Sequence, residues 1–182
     1  MLTVTLALSL LGIVGAQVPS LGFCPNVETI PTFEVEKYTG KWYEQFRYFA
    51  IFELGGKCVT ANYSLNDDGT VKVVNAQVNS LTGSPSSIEG SARIVDANDP
   101  GKLEVRFSLS PVKGSYWILD TDYESYSAVW SCQGFLIANT KFAWILTRDR
   151  NPSEAVIDKA KDAFRKYGIN VDLFQKTNQV DC

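Results

Sequence analysis

Cys58 to Leu65 reads CVTANYSL, and its alternation decides the fold. Cys58, Thr60, Asn62 and Ser64 fall on one face of an extended strand, and Val59, Ala61, Tyr63 and Leu65 on the other. The stretch also holds the glycosylation sequon Asn62-Tyr63-Ser64. A glycan on Asn62 has to stand in water. Tyr63 then points the other way, into whatever the strand encloses. Asn151-Pro152-Ser153 has the same pattern but is blocked by its proline, which leaves Asn62 as the usable site.

The period-two pattern recurs outward from this stretch, between Lys41 and Asp149. It predicts strands beginning near Lys41, Lys57, Thr70, Ser87, Lys102, Ser115, Ser125 and Lys141. In KLEVRFSL, Leu103, Val105, Phe107 and Leu109 share a face, and Glu104, Arg106 and Ser108 share the other. Val71, Val73, Asn75 and Gln77 share a face in TVKVVNAQV, as do Phe142, Trp144, Leu146 and Arg148 in KFAWILTR. NDDGT, from Asn66 to Thr70, is a tight-hairpin signal. SLTGSPSS, DANDPGK and SPVKGS are loops by composition. No connector here suits a crossover helix, so neighbouring strands pair antiparallel. Eight such strands suit an up-and-down barrel, which removes the sheet edges and leaves an interior wide enough for one small ligand. A two-sheet sandwich is the competing arrangement.

One helix follows. Asn151 suits the N-cap, Pro152 the first helical position, and Glu154 stands three residues after the cap. Val156, Ala160, Ala163, Phe164 and Tyr167 recur at helical spacing, and Gly168 is a natural stop. The helix is expected to pack on the outside of the barrel and to carry no chemistry.

Composition narrows the function classes. Leu2 to Val14 is apolar but too short to span a bilayer with ease, and Val14 and Ala16 are the small residues that a signal peptidase reads. Residues 1–16 are therefore expected to be a signal peptide, and residues 17–182 a single domain of a secreted, extracellular protein. The net charge of −3, without a basic stretch, offers nothing to a nucleic acid. The four cysteines, Cys24, Cys58, Cys132 and Cys182, suggest two disulfides and leave three pairings open. The chain has no histidine, which removes the Ser-His-Asp and Cys-His arrangements and the usual metal sites.

Three blocks together carry a family resemblance: GKWYE (Gly40 to Glu44), TDYESY (Thr121 to Tyr126) and WILTR (Trp144 to Arg148). In this order, with a C-terminal helix, they resemble the signature blocks of the lipocalins. CPN, ANYSL, KLEV, YWIL and FAWIL narrow the resemblance to the apolipoprotein D-like group, which includes the Lazarillo-type and bilin-binding lipocalins. It runs from Cys24 to Cys182 and implies an all-β, eight-stranded antiparallel barrel with one helix outside. It also implies a closed base, with Gly40 and Trp42 opening the first strand and Arg148 laid over the Trp42 ring. Thr121, Asp122 and Tyr123 are then turn and packing residues at that end. The resemblance further implies the pairs Cys24–Cys132 and Cys58–Cys182. Each closes a long loop worth about 4 to 5 kcal/mol in the chain-entropy model. With all four paired, no thiol remains as a nucleophile.

By position in that group, Tyr63, Asn75, Phe107, Trp144 and Leu146 line the ligand pocket, and Gln77 shares the Asn75 face. An aromatic cup with a few polar groups suits a mostly apolar molecule such as a fatty acid, a steroid or a bilin. No cofactor is required on this reading, although biliverdin or a lipid would be a natural ligand. The alternatives are a biliverdin pigment protein, an interaction protein whose barrel is filled by side chains, and a lipocalin that turns its ligand over with carboxylates, Tyr and Lys. Residues 47–56 carry Tyr48, Phe49, Ile51, Phe52 and Leu54, and residues 133–141 carry Phe135, Leu136 and Ile137. Both loops are expected at the open mouth. There they form a lid, touch a membrane or lipoprotein surface, or join two copies as a homodimer, with the lid preferred.

Overall fold

The computed structural model describes residues 18–108 and 113–182. The expected leader, residues 1–16, and Leu109 lie outside the described residues. Strand β1 (Val18–Leu21) leads to a single helical turn, α1 (Val35–Tyr38). The strands β2 (Gly40–Arg47), β3 (Gly56–Leu65), β4 (Val71–Asn79), β5 (Pro85–Ile94), β6 (Lys102–Phe107), β7 (Lys113–Thr121), β8 (Tyr126–Phe135) and β9 (Ala138–Thr147) follow. Helix α2 (Glu154–Arg165) and the short strand β10 (Gln175–Lys176) complete the chain. Each of β2 to β9 pairs antiparallel with the next, and β9 closes on β2 through Tyr43↔Thr147 and Arg47↔Trp144. The sheet is thus a closed barrel and not a sandwich.

Two apolar layers share the barrel wall. The inner one includes Trp42, Ala61, Tyr63, Val73, Val105, Ile118, Val129 and Leu146, all buried. The outer one lies beneath α2, where Ala160, Ala163 and Phe164 meet the fully buried Trp130 and Ile145. Burying a side chain such as Phe164 is worth about 1.5 to 3 kcal/mol. Trp117 belongs to this outer layer, with the Lys102 ammonium 5.1 Å from its ring centroid. The N-cap of α2 is Ser153 and not Asn151, whose own amide donates to Asp149 Oδ1 at 2.8 Å in a preceding turn. The helix stops as expected. Gly168 has φ +66°, which an L side chain resists, and Ile169 N–H reaches back to Phe164 O at 3.1 Å.

Two strands went unread in the sequence. β1 extends the free edge of β9 (Leu21↔Ala138), and β10 lies on the upper half of β2 (Gln175↔Arg47). β2 and β3 pair only from Gly40↔Tyr63 to Tyr43↔Thr60 and then part. The C-terminal tail fills the gap. Thr177 N–H donates to Gln45 O at 2.9 Å, Cys58 N–H to Asn178 O at 2.8 Å, and Gln179 Nε2 bridges Glu44 O and Val59 O. The Cys58–Cys182 disulfide pins this wedge, and Cys24–Cys132 straps the N-terminal segment to β8, with Cα–Cα separations of 5.6 and 5.8 Å. A bulge between Lys57 and Thr60, with Cys58 at φ +57°, takes Cys58 out of the outer face predicted for it. From Thr60 the alternation is as read: Asn62 is exposed and Tyr63 buried, although Leu65, at the strand end, is 48% exposed.

The base is closed by Trp42, which is fully buried and donates Nε1–H to Tyr38 O at 2.9 Å. The Arg148 guanidinium lies 3.8 Å from the Trp42 ring centroid and donates to Tyr123 O, Lys41 O and Lys37 O. Gly40 has φ +92°, and a side chain there would press on Arg148. The β7–β8 turn completes the closure. The Asp122 carboxylate accepts from the Glu124, Ser125 and Tyr126 amides and the Ser125 hydroxyl. Partial burial pushes its pKa up, but these donors outweigh that and hold it below the usual carboxylate value. Thr121 Oγ1 donates to Tyr126 O, and Tyr123 Oη to Thr32 O.

Candidate functional site

The barrel interior is two unlike halves. The lower half, above Trp42, is packed. Four hydroxyls form a chain there: Tyr63 Oη to Tyr116 Oη, Tyr116 Oη to Tyr38 Oη, and Tyr38 Oη to Ser127 Oγ, each 2.8 Å. Burial pushes the pKa of Tyr38 up to about 12 and those of Tyr63 and Tyr116 well above the ordinary 10, so all three stay neutral. The free space beside them is an apolar gap of about 10 Å³, the size of one water. Tyr63, expected to face a ligand, meets Tyr116 and Tyr38 in this layer and lines that gap. Leu146, 4% exposed, belongs to the same inner cluster.

The upper half is more polar, with Asn75 and the Glu44, Arg47 and Glu53 side chains. Trp42, Ala61, Asn75 and Ile88 are successive partners across β2 to β5, which puts Asn75 on the inner face. Its buried Oδ1 has no hydrogen-bond partner among the described residues. Gln77 stands one inward position higher, against Gly56. Phe107 lies over Gly90. Trp144 stacks on Phe142, ring planes 9° apart and centroids 5.7 Å apart, and donates Nε1–H to Glu53 Oε1 at 3.3 Å. The predicted residues therefore divide. Asn75 and Gln77 stand above the packed layer that holds Tyr63 and Leu146, and Phe107 and Trp144 lie half-buried against it. Trp144 meets Phe142 and Glu53.

Sequence reasoning missed a buried charge cluster here. Arg47 Nη1 meets Glu44 Oε1 at 2.6 Å, and Arg47 Nε lies 3.1 Å from Glu53 Oε2. Thr177 Oγ1 donates to Glu44, and Arg47 Nη1 to Thr177 Oγ1. Strict alternation from Trp42 would send Arg47 outward. A bulge between Glu44 and Phe46 reverses it, so that Glu44 and Arg47 both face inward and Phe46 turns out against Phe174. Burial pushes the Glu44 pKa up, against the pull of Arg47 and Thr177. Burial and then the Glu44 charge push Glu53 up to about 8, against Arg47 and Trp144. The inward Glu44 was legible from its spacing to Trp42; the bulge was not.

The mouth loops are only partly as expected. Ile51, Phe52 and Leu54 are exposed, as are Leu136 and Ile137. Tyr48 is no mouth residue: it is 2% exposed, packs against Trp130 and Phe174 on the outer face, and donates its hydroxyl to Asn170 O.

Comparison with known proteins agrees with this architecture. A family model described as a lipocalin-like domain matches residues 33–179. The mouse protein apolipoprotein D is 37% identical over 163 residues, covering 89% of this chain and 85% of its own. The Lazarillo protein of Schistocerca americana is 36% identical over 183 residues, covering 98% and 85%. Among solved structures, insecticyanin from the tobacco hornworm Manduca sexta superimposes with a TM-score of 0.78 at 24% identity, covering 89% of each chain.

Proposed function

Because the chain belongs to the lipocalin family, we propose that it carries one small, mostly apolar molecule, bound without a covalent step in the upper half of its barrel. Phe107 and Trp144 supply apolar contact, and Asn75 and Gln77 orient a polar end of the ligand. The observation that carries this reading is the buried Asn75 Oδ1, left without a partner among the described residues. Burying an acceptor unpaired costs about 1 to 3 kcal/mol, and a ligand donor placed there would recover it. The molecule is exported, consistent with its two disulfides, and it acts as a binder and not as a catalyst.

The test is a fluorescence titration with a steroid, an acyl chain and a bilin, on the wild type and on Trp144→Phe. One molecule should bind per chain and quench tryptophan emission. The variant should bind at least several-fold more weakly and lose most of the quenching, while Trp42, sealed in the base, contributes little. Unaltered affinity together with unaltered quenching would remove Trp144 from the ligand site and favour a barrel filled by its own side chains.

A further inference from the structure

One guanidinium serves two carboxylates inside the barrel. Arg47 Nη1 meets Glu44 Oε1 at 2.6 Å, and Arg47 Nε lies 3.1 Å from Glu53 Oε2. The side chains of Glu44, Arg47 and Glu53 are only 3, 12 and 12% exposed. Among the described residues no other lysine or arginine forms an ion pair with either carboxylate. With both ionised, the cluster therefore carries one negative charge in excess. A buried charge is tolerated where a partner of opposite sign meets it. Burial resists the second charge here and raises the pKa of both carboxyls, against the pull of Arg47.

The donors of the cluster are already engaged. Arg47 Nη1 donates also to Thr177 Oγ1, and Arg47 Nη2 to Glu53 O. Trp144 Nε1 donates to Glu53 Oε1, and Thr177 Oγ1 to Glu44 Oε1. Arg47 Nε and Glu53 Oε2 meet as charges but are not aligned as a hydrogen bond, so Oε2 is a buried acceptor left unfilled. Asn75 Oδ1 is a second such acceptor among the described residues. It stands one inward position from Gln77, whose side chain and the Glu53 carbonyl both border Gly56. Aromatic rings flank the carboxylate. Phe142 lies parallel to Trp144, and Phe52, next in the chain to Glu53 and 60% exposed, packs on Phe142 at 5.7 Å. Ring faces attract cations through their quadrupole.

We propose that the polar end of the carried molecule is a cationic amine, held at the Glu53 carboxylate beside the Phe52, Phe142 and Trp144 rings. The inference rests on the carrier reading and narrows it to one ligand class. An ammonium has three N–H donors and no acceptor, so it supplies both the missing charge and the missing hydrogen bond. A hydroxyl supplies the donor without the charge. A carboxylate supplies neither, and it would stand beside two glutamates that repel it. Apolar amines are therefore the preferred ligands and fatty acids the poor ones, with Asn75 as a further acceptor on the same inner wall.

The experiment is a calorimetric titration of ligand-stripped protein with three probes that share one tail: decylamine, decanol and decanoate, at neutral pH and low ionic strength. The amine should bind about tenfold or more tightly than the alcohol, and the carboxylate more weakly than the alcohol. In Glu53→Gln, which keeps the shape and removes the charge, the advantage of the amine should fall below about threefold while the alcohol binds as before. An alcohol or acid bound by the wild type as tightly as the amine would overturn the inference and leave the carrier function standing. So would an amine preference that survives intact in Glu53→Gln. If the variant does not fold, nuclear Overhauser contacts in the wild type decide: contacts from the methylene beside the nitrogen to the Phe142 and Trp144 rings support the inference, and their absence overturns it. If none of the three probes binds but a steroid or a bilin does, the inference falls and the carrier function stands; if nothing binds, both fall.

Discussion

Replacing Tyr116 by Phe removes one hydroxyl from the middle of the chain that joins Tyr63, Tyr116, Tyr38 and Ser127. The ring stays, so no cavity term enters. Two hydrogen bonds are lost, each worth about 0.5 to 1.5 kcal/mol net. Tyr38 keeps Ser127, but the Tyr63 hydroxyl, on a residue 6% exposed, loses the partner that the structure gives it. The sum is about 1 to 3 kcal/mol. Tyr63→Phe removes only the end of the chain, leaves Tyr116 bonded to Tyr38, and should cost about 1 kcal/mol. Urea unfolding with the disulfides intact measures both, and an unchanged denaturant slope would show that the unfolded state is unaffected. Ligand affinity should not move, because the chain lies outside the proposed ligand site. The same phenols fix the alkaline limit. Burial holds Tyr38 up to about 12 and the other two well above 10, whereas unfolded phenols ionise from about pH 10. Stability should therefore decline as pH rises past 10, more steeply in the wild type than in Tyr116→Phe. A Tyr116→Phe cost below about 0.5 kcal/mol, or a large loss of affinity, would refute a packed, ligand-free lower layer.

Arg148→Lys keeps the charge but cannot both cover Trp42 and reach the three carbonyls of Lys37, Lys41 and Tyr123. Discounted for partial exposure, the loss should be about 1 to 3 kcal/mol, read as a lower urea midpoint and a changed near-ultraviolet signal from Trp42; an unchanged midpoint would deny Arg148 its closing role. Asn62, exposed on β3, should carry a glycan when the chain passes through a eukaryotic secretory pathway, and the added mass should vanish in Asn62→Gln; an unmodified wild type would contradict this.

The eight barrel strands were legible because each has one face toward the apolar interior, and a period of two survives wherever that face is continuous. The base was legible for a different reason: Trp42, Arg148 and the Asp122 turn belong to short blocks whose residue types are dictated by one closed end. β1 and β10 left no pattern, since each is held by main-chain pairing over a few residues. The bulges at Cys58 and Gln45 were equally silent. One extra residue reverses inside and outside, and this hid Arg47 and the role of Glu53 while moving Phe46 beneath the helix. Tyr63 was rightly placed inside, but alternation gives a direction and not a depth. Its partner Tyr116, contributed by β7, decides that it belongs to the packed layer.

The central claim, a ligand held in the upper half of the barrel, is tested most directly by mass spectrometry on protein purified from its native source. The intact mass under non-denaturing conditions should exceed that of the denatured chain by one small molecule. An organic extract should then yield that molecule in roughly equal amount to the protein and show whether it is an acyl lipid, a steroid or a bilin. Identical native and denatured masses, with an empty extract and no uptake of any of the three classes, would contradict the account.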